Sequence, residues 1–495
     1  MTLTSKVFAA IKSNYLGTLV RVGAQLVAQV FIMRELGPDL VGAFGYVSLL
    51  NGVLALVVDQ GFGWSLIQSS FAEQEVAIAY SRMMLAGLLC GVGVFICSFP
   101  LEIWLANPLV GQVVRYSAPA YLLIGPYAAS HARLRRDLRF RELQYATTGA
   151  YVIAYPGVGL VLAWCGFGVW SLLGAWYTQA LLQILIGQYY VKYSLRLVNP
   201  FATCAAGALG RQVAGINVLN WAVDNASGVV VGGMGAGALG NFNAASVLAR
   251  QPALQLVQTL QVLLFSTASA LERDEAKIRR LYLTALSMIG FAVAPLYAYV
   301  WAHADFLVSF VFGHKWLAAG AVLAALSPGM VAMALSTVTS SVLTATGHQR
   351  EVVRSQALCL ALMLVGLFVA HSHTVNAIGW AVSVAYLARC AQQLLVVVRV
   401  GAISRADMWA SLRGPALLAV AAALPLSTWF RLPGSNLQQE LVSVVLTLIL
   451  VFVLVVLFPR WVVSPASAEL LERSATGRRL LARLRLVHPS QHGNL

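Results

Sequence analysis

The length and spacing of its apolar runs limit how this chain can fold more than anything else in it. Between residues 15 and 458, hydrophobic stretches follow one another, broken by short polar or Gly- and Pro-containing segments. Most are about 18 to 25 residues long, enough to carry an α-helix across roughly 30 Å of hydrocarbon. Helices are expected because each satisfies its own backbone where lipid offers no partner. Composition agrees: 59% of the 495 residues are hydrophobic and 10% charged, against roughly 25% charged in soluble domains. The expected fold is all-α and integral to the membrane, with about fourteen transmembrane helices.

The expected spans cover residues 15–33, 41–61, 76–99, 109–130, 143–165 and 168–190. After a linker over 191–212 they continue through 213–234, 238–266, 281–301, 316–345, 355–370 and 375–398, with a final pair at 414–430 and 441–458. Lysine and arginine near span ends are retained on the cytoplasmic side, so alternate loops should differ in charge. They do. With the N-terminus inside, 26 of the 33 basic residues fall in cytoplasmic segments or, for Arg82, in the inner end of its span; three fall in outer loops (Arg34, Lys315, Arg431) and four deeper within spans (Arg21, Arg115, Arg250, Arg389). The net charge of +15 is therefore a positive-inside rim facing membrane lipid, and no nucleic-acid surface is implied. The opening MTLTSKVFAAIKSNYLG lacks an apolar region ending in a cleavage site and reads as an uncleaved cytoplasmic lead-in. Beyond residue 460, Leu480, Leu481 and Leu484 recur among arginines, the pattern of a short interfacial helix. The six cysteines are scattered, without a C-x-x-C pair, and read as packing residues.

The chain also repeats itself. LGPDLVGAFGYVSLL from Leu36 aligns with MGAGALGNFNAASVL from Met234, pairing Gly37 with Gly235, Gly42 with Gly240, Phe44 with Phe242 and Ser48 with Ser246. Both copies lie at the outer turn between a first and a second helix, as in transporters built from duplicated halves. The expected organisation is a six-helix lobe over 1–190, the cytoplasmic linker 191–212, and a second six-helix lobe over 213–400. Two additional helices follow over 410–460, then a basic tail over 461–495. Both copies start inside, so the lobes are parallel repeats.

No enzyme signature is present. The outer loops are short, the longest over 302–315, and the histidines lie in loops, at span edges or in the tail; the one pair four residues apart, His488 and His492, is in the tail with Pro489 between them, which disfavours the helix that would turn both to one metal. Acidic pairs such as Glu73 with Glu75 sit beside arginines and read as solvated charge. Polar residues inside spans remain, and ionisable ones cost about 2.5–3.5 kcal/mol at the bilayer centre on insertion scales. Arg250 lies about 18 Å from the outer end of its helix, too deep to snorkel cheaply. Lining an internal polar cavity explains it, and a structural ion pair is the alternative. Asn243, Ser246, Gln251, Gln255, Gln258 and Gln261 make the same helix polar, and Pro252 frees a carbonyl within it. On the seventh helix Asn217, Asn220, Asp224 and Ser227 recur at helical spacing. Asp224 is open to three roles: pairing with Arg250, binding a cation, or taking a proton. Arg21, Gln25 and Gln29 form a similar stripe on the first helix; Arg21 is about 9 Å from the inner face, within snorkelling reach, and Asp59 ends the second helix close by as an alternative partner. Arg115 and Arg389, nearer span ends, read as rim residues. A basic residue in each lobe suits a polyanionic headgroup, because guanidinium binds phosphate oxygens bidentately and stays charged in a dry site.

These features resemble the Wzx-type polysaccharide flippases of the multidrug, oligosaccharidyl-lipid and polysaccharide exporter superfamily. The resemblance covers most of the chain and is carried by three strings: RELGPDLVGAFGYVSLLNGVLALVVDQGFGWSLIQ from Arg34, VLARQPALQLVQTLQVLLFSTASALERD from Val247, and FLVSFVFGHKWLAAGAVLAAL from Phe306. In the last, Gly313 and Trp316 stand at the family's Gly-then-Trp spacing. Where members often have a Pro after the Phe ending the eighth helix, this chain has Phe265-Ser266. The resemblance implies two lobes around a central cavity, alternating access, and a bacterial inner-membrane location with both termini cytoplasmic. It implies an undecaprenyl-diphosphate-linked oligosaccharide as cargo, no cofactor or metal, and polysaccharide polymerase and chain-length machinery as partners. Related lipid II flippases direct arginines on the first and eighth helices at the lipid diphosphate, and Arg21 and Arg250 fall on those helices. The substrate-binding set expected here is Arg250, Arg21, Asn220, Asp224, Gln25 and Gln251. A cation-coupled multidrug exporter of the same superfamily is the alternative if the cavity is acidic and aromatic. A membrane glycosyltransferase or polymerase would need a large outer domain or clustered carboxylates.

The charge segregation predicts that the loop holding Arg133, Arg135, Arg136, Arg139 and Arg141 faces the cytoplasm. A cysteine placed there should resist a membrane-impermeant maleimide in intact cells and react after permeabilisation; labelling without permeabilisation would invert the topology.

Overall fold

A computed structural model of the protein describes residue 21 and residues 23–59, 73–192, 196–202, 206–270, 275–370, 374–400, 403–424, 436–457 and 461. The expected lead-in, His371 and His373, and the basic tail lie outside the described residues, as do the side chains of Asp59, Asn217, Gln258 and Gln261. All regular structure among the described residues is helical. In chain order it comprises α1 (23–36), α2 (Pro38–Asp59), α3 (Glu73–Leu105), α4 (Pro108–Ser117), α5 (Ile124–Arg136) and α6 (Phe140–Trp164). Then come α7 (Trp170–Val191), α8 (Ala206–Gly232), α9 (Ala236–Ala270), α10 (Glu275–Ala302) and α11 (Ala304–Phe312). The last five are α12 (Ala318–Ala345), α13 (Gln349–Ala370), α14 (Val375–Arg399), α15 (Arg405–Ala422) and α16 (Asn436–Leu457). Among the described residues eight helices are long and apolar enough to cross a membrane, so the chain is a multi-pass membrane protein.

Three segments depart from the expected spans. The span over 109–130 is not one helix: α4 tightens into a 3₁₀ turn at Ala118–Leu123 before α5 begins. Pro119, at the start of that turn, has no N–H and its ring crowds the preceding turn of helix. Upstream, Asn107 caps α4, its side-chain oxygen accepting from the Leu109 and Val110 amides at 3.1 and 3.3 Å. Inside α6 the turns widen to π geometry at Tyr145–Gly149 and Ile153–Gly159, the second containing Pro156. The outer loop over 302–315 holds a helix, α11.

The helices pack as two compact units, one of residues 1–243 with 311–316, the other of 244–310 with 317–495. Within the first unit the repeated glycines explain themselves. Gly37 and Gly235 hold positive φ, 86° and 114°, in the turns that open α2 and α9. Gly42 and Gly240 then let those helices touch backbone to backbone. A methyl on Gly42 would overlap the Ala236 carbonyl, and one on Gly240 would overlap the Pro38 carbonyl. The contact is reciprocal, each copy of the repeat meeting the other at the equivalent place. The Gly313-to-Trp316 corner belongs to this unit too. Gly313 turns with φ 95°, and the fully buried Trp316 donates its indole N–H to the Met33 carbonyl at 2.9 Å, at the end of α1. Arg34 Nε donates to the Val311 carbonyl at 2.9 Å, so the corner and α1 clasp each other. At the other end of the unit Arg82 donates to the carbonyls of Pro200 and Ala202, and Val198 N–H to Ser81 Oγ, tying the linker to α3.

In the second unit α12 packs against α10 and α14, with α13 on α14 and α15 on α10. Pro328 interrupts α12. The Gly329 amide, one residue on, donates to Ser383 Oγ on α14 at 3.1 Å, and that hydroxyl donates to the Ala325 carbonyl at 2.5 Å. Ser383 thus bridges the N–H and C=O that an unbroken helix would join directly. Helix α15 starts at an N-cap, Ser404, whose Oγ accepts from the Asp407 amide at 3.1 Å. The same hydroxyl donates to the Asp407 carboxylate, which also pairs with Arg279; both hold its pKa below the usual carboxylate range. Further along, Ser287 on α10 donates to the Ser411 carbonyl at 3.1 Å.

Gly42→Ala should push α2 from α9 and cost about 1–3 kcal/mol, read as lower abundance and a lower melting midpoint of detergent-solubilised protein. Gly93→Ala, with open space around its Cβ, is the control and should behave as wild type. Ser383→Ala strands a buried N–H and carbonyl and should lower the same midpoint by an amount equivalent to about 1–3 kcal/mol; Ser383→Thr, which keeps the hydroxyl, should recover part of it.

Candidate functional site

Helix α9 carries a proline where its polar residues cluster. Pro252 removes one amide donor and its ring displaces the preceding turn. The next amide, Ala253 N–H, donates to the Tyr297 hydroxyl at 3.1 Å, and that hydroxyl donates to the Ala249 carbonyl. Tyr297, on α10, is fully buried. A side chain inserted between a helix's own N–H and C=O fixes a kink without an orphaned group. Proline and inserted hydroxyl stand in the same relation as Pro328 and Ser383.

Arg250 and Gln251 lie within this opened turn, both half-buried, and Gln255 follows one turn on, also half-buried. Arg250 is partnered within the protein. At such a turn a guanidinium is carried on backbone whose position the inserted hydroxyl fixes. A guanidinium is a planar fork of donors suited to phosphate or carboxylate oxygens.

In the first unit Arg21 is exposed, its guanidinium 5.9 Å from the centre of the Tyr151 ring on α6. Tyr151 in turn stacks on Tyr155, with ring centres 4.7 Å apart. Gln25 is half-exposed, and Gln29 has a buried amide oxygen with no hydrogen-bond partner among the described residues. On α8 Asn220 is half-buried and Asp224 exposed, both partnered, while Ser227 lies in the core. The expected stripe on α8 thus runs from an open carboxylate into packed interior.

The other two arginines within spans have separate settings. Arg115 pairs with Glu102 at 2.8 Å, donates to Ser98 Oγ at 3.2 Å and lies 3.9 Å from the Phe99 ring centre, joining α4 to α3. Half-buried Arg389 has an Nε without a hydrogen-bond partner among the described residues. Tyr297 was not identifiable from sequence, because its partners lie 44 and 48 residues away and a tyrosine in an apolar helix carries no distinguishing pattern.

Comparison with solved structures places this geometry in a known fold. The lipid II flippase MurJ in an inward closed conformation superposes with a TM-score of 0.69 over 89% of this chain and 98% of its own, at 13% identity. An inward-facing multidrug resistance MATE family transporter of the MOP superfamily gives 0.57 over 78% and 98%, at 15% identity. At these identities the likeness is one of fold. By sequence the chain is 23% identical over 323 residues to the lipopolysaccharide biosynthesis protein WzxC of Escherichia coli (strain K12), covering 64% of this chain and 65% of that protein. It is 24% identical over 326 residues to the succinoglycan biosynthesis transport protein ExoT of Rhizobium meliloti (strain 1021), covering 62% and 63%. The chain thus matches somewhat under two thirds of each relative's length. The family profile described as polysaccharide biosynthesis protein matches residues 31–321. With the helical architecture and more than half of the sequence in agreement, the chain belongs to the polysaccharide biosynthesis protein family.

Proposed function

We propose that the protein is a flippase that moves an undecaprenyl-diphosphate-linked oligosaccharide from the cytoplasmic to the periplasmic leaflet of a bacterial inner membrane, for assembly of an exopolysaccharide or O-antigen. The observation that carries this reading is Arg250 at the opened turn of α9, in a chain whose family and fold are those of transporters for polysaccharide assembly. An arginine so placed engages a diphosphate as a fork, while Arg21, Gln25, Asn220, Asp224 and Gln251 supply further polar contacts along the path. Transport proceeds by alternating access of two six-helix lobes, 1–190 and 213–400, joined by the linker 191–212. The helices over 410–460 and the basic tail over 461–495 are additions to that core. Both termini face the cytoplasm. The cargo crosses with every covalent bond intact, so the protein is a transporter and no enzyme. Polymerase and chain-length machinery receive the cargo outside. The cation-coupled exporter reading is weaker, because the ionisable side chain at the opened turn of α9 is basic and a lipophilic cation needs an acidic one.

Arg250→Ala should abolish polymer export while membrane insertion and abundance stay near wild type, and Arg250→Lys should restore only part of it, because an ammonium replaces a bidentate clamp with a point charge. Export and accumulated lipid-linked intermediate, measured in cells lacking the native gene, decide the matter. A purely structural pairing with Asp224 gives the opposite pattern. In that case Arg250→Ala would lower abundance together with export, and Asp224→Asn in the same chain would restore both.

A further inference from the structure

Inside the first unit lies a cavity of about 420 Å³ walled by α2, the 3₁₀ turn after α4, α5, α6 and α7. That is within the roughly 300–1,000 Å³ typical of small-molecule sites. Its chemistry is unusual for the interior of an apolar bundle. Three amide side chains line it, Asn51 from α2 and Gln179 and Gln183 from α7, with the hydroxyls of Ser48 and Thr147. Four aromatic residues complete the wall: Phe44, Tyr127, Tyr155 and Trp176. Among the described residues that line it there is no carboxylate, lysine or arginine. His131, on α5, is the one imidazole; it is buried, and its Nε2 has no hydrogen-bond partner among the described residues.

The π stretches of α6 help to build this wall. Thr147 lies in the first and Tyr155 in the second. In a straight α-helix, residues eight apart would be about 80° out of phase. The wider π turns, which recur at functional sites, reduce that angle so that both side chains line one cavity.

We propose that this cavity binds the sugar of the substrate: an uncharged pyranose unit held by amide side chains and stacked on aromatic rings. Each amide offers one acceptor and two donors, which matches the adjacent hydroxyls of a sugar, each at once donor and acceptor. Flat rings complement the apolar faces that a pyranose presents between its hydroxyls. The lack of fixed charge disfavours a phosphate or an organic cation, whose burial without a counter-ion is costly. This inference rests on the flippase reading only in taking the sugar to be part of the transported lipid.

The test uses the purified full-length chain in lipid nanodiscs, with maltose, cellobiose, lactose and N,N′-diacetylchitobiose as probes, read by saturation-transfer NMR. At least one disaccharide should bind saturably in the millimolar range, and millimolar inorganic diphosphate should not displace it. Gln179→Leu with Gln183→Leu should weaken that binding about tenfold, from two lost hydrogen bonds. Asn51→Leu, on a different helix, should weaken it independently if the double variant fails to fold, with the melting midpoint reporting folding in each case. No saturable binding by any of the four sugars, or equal binding by well-folded amide variants, overturns the assignment. If sugar binding is absent while Arg250→Ala still abolishes export, the cavity falls and the flippase reading stands. If the amide variants lose sugar binding but lipid-linked intermediates never accumulate without the protein, the cavity stands and the flippase reading falls.

Discussion

The second unit depends on hydroxyls that repair broken helices. Pro252 and Pro328 each sever the helical hydrogen bond between the following amide and the carbonyl four residues before it. A hydroxyl from a neighbouring helix, Tyr297 in one case and Ser383 in the other, accepts from that amide and donates to that carbonyl. In hydrocarbon an unsatisfied backbone group costs several kcal/mol, so neither break could persist without its insert. The breaks also lock α9 to α10 and α12 to α14, because each missing partner comes from the next helix. A structure made this way has breaks of fixed position, and one of them holds Arg250 and Gln251.

The first unit reaches close packing by the opposite means, removing side chains. Gly42 and Gly240 admit a neighbouring carbonyl where a methyl would overlap it. Small residues at crossings are the usual route to helix association in lipid, where apolar side chains gain little by meeting one another instead of lipid tails. Reciprocity of the contact gives the internal repeat a physical purpose. One short string, used twice, supplies both halves of a single crossing.

Much of this was legible in the sequence. Spans could be read because hydrocarbon thickness dictates their length, and Gly37, Gly42, Gly235 and Gly240 because the same string occurs twice, though not the positive φ or the backbone crossing that they serve. Trp316 could be singled out by its spacing from Gly313, though not its bond to Met33. Other features were hidden for definable reasons. Interruption at Ala118–Leu123 and the π turns of α6 are changes in backbone register, which hydropathy does not register. Helix α11 looked like a loop because its nine residues are too few to span. The sugar cavity draws Asn51, His131, Thr147 and Gln179 from four different helices, and each alone is an ordinary polar residue in an apolar segment. Arg250 was conspicuous because charge in a span is rare, whereas Tyr297, which shapes its turn, was not.

The clasp between Trp316 and Met33 bears on how the protein is made. Its two halves lie 283 residues apart in the chain, and everything between them is synthesised before the indole exists to receive its bond. At about 5–20 residues per second, the Met33 carbonyl waits roughly a quarter of a minute to a minute after its own synthesis. During that interval most of the first unit has already left the ribosome, yet the last piece of its core has not. Maturation of the N-terminal half is therefore paced by translation of a segment from well beyond it, and a ribosome stalled just before Gly313 would leave a nearly complete unit with its final side chain missing.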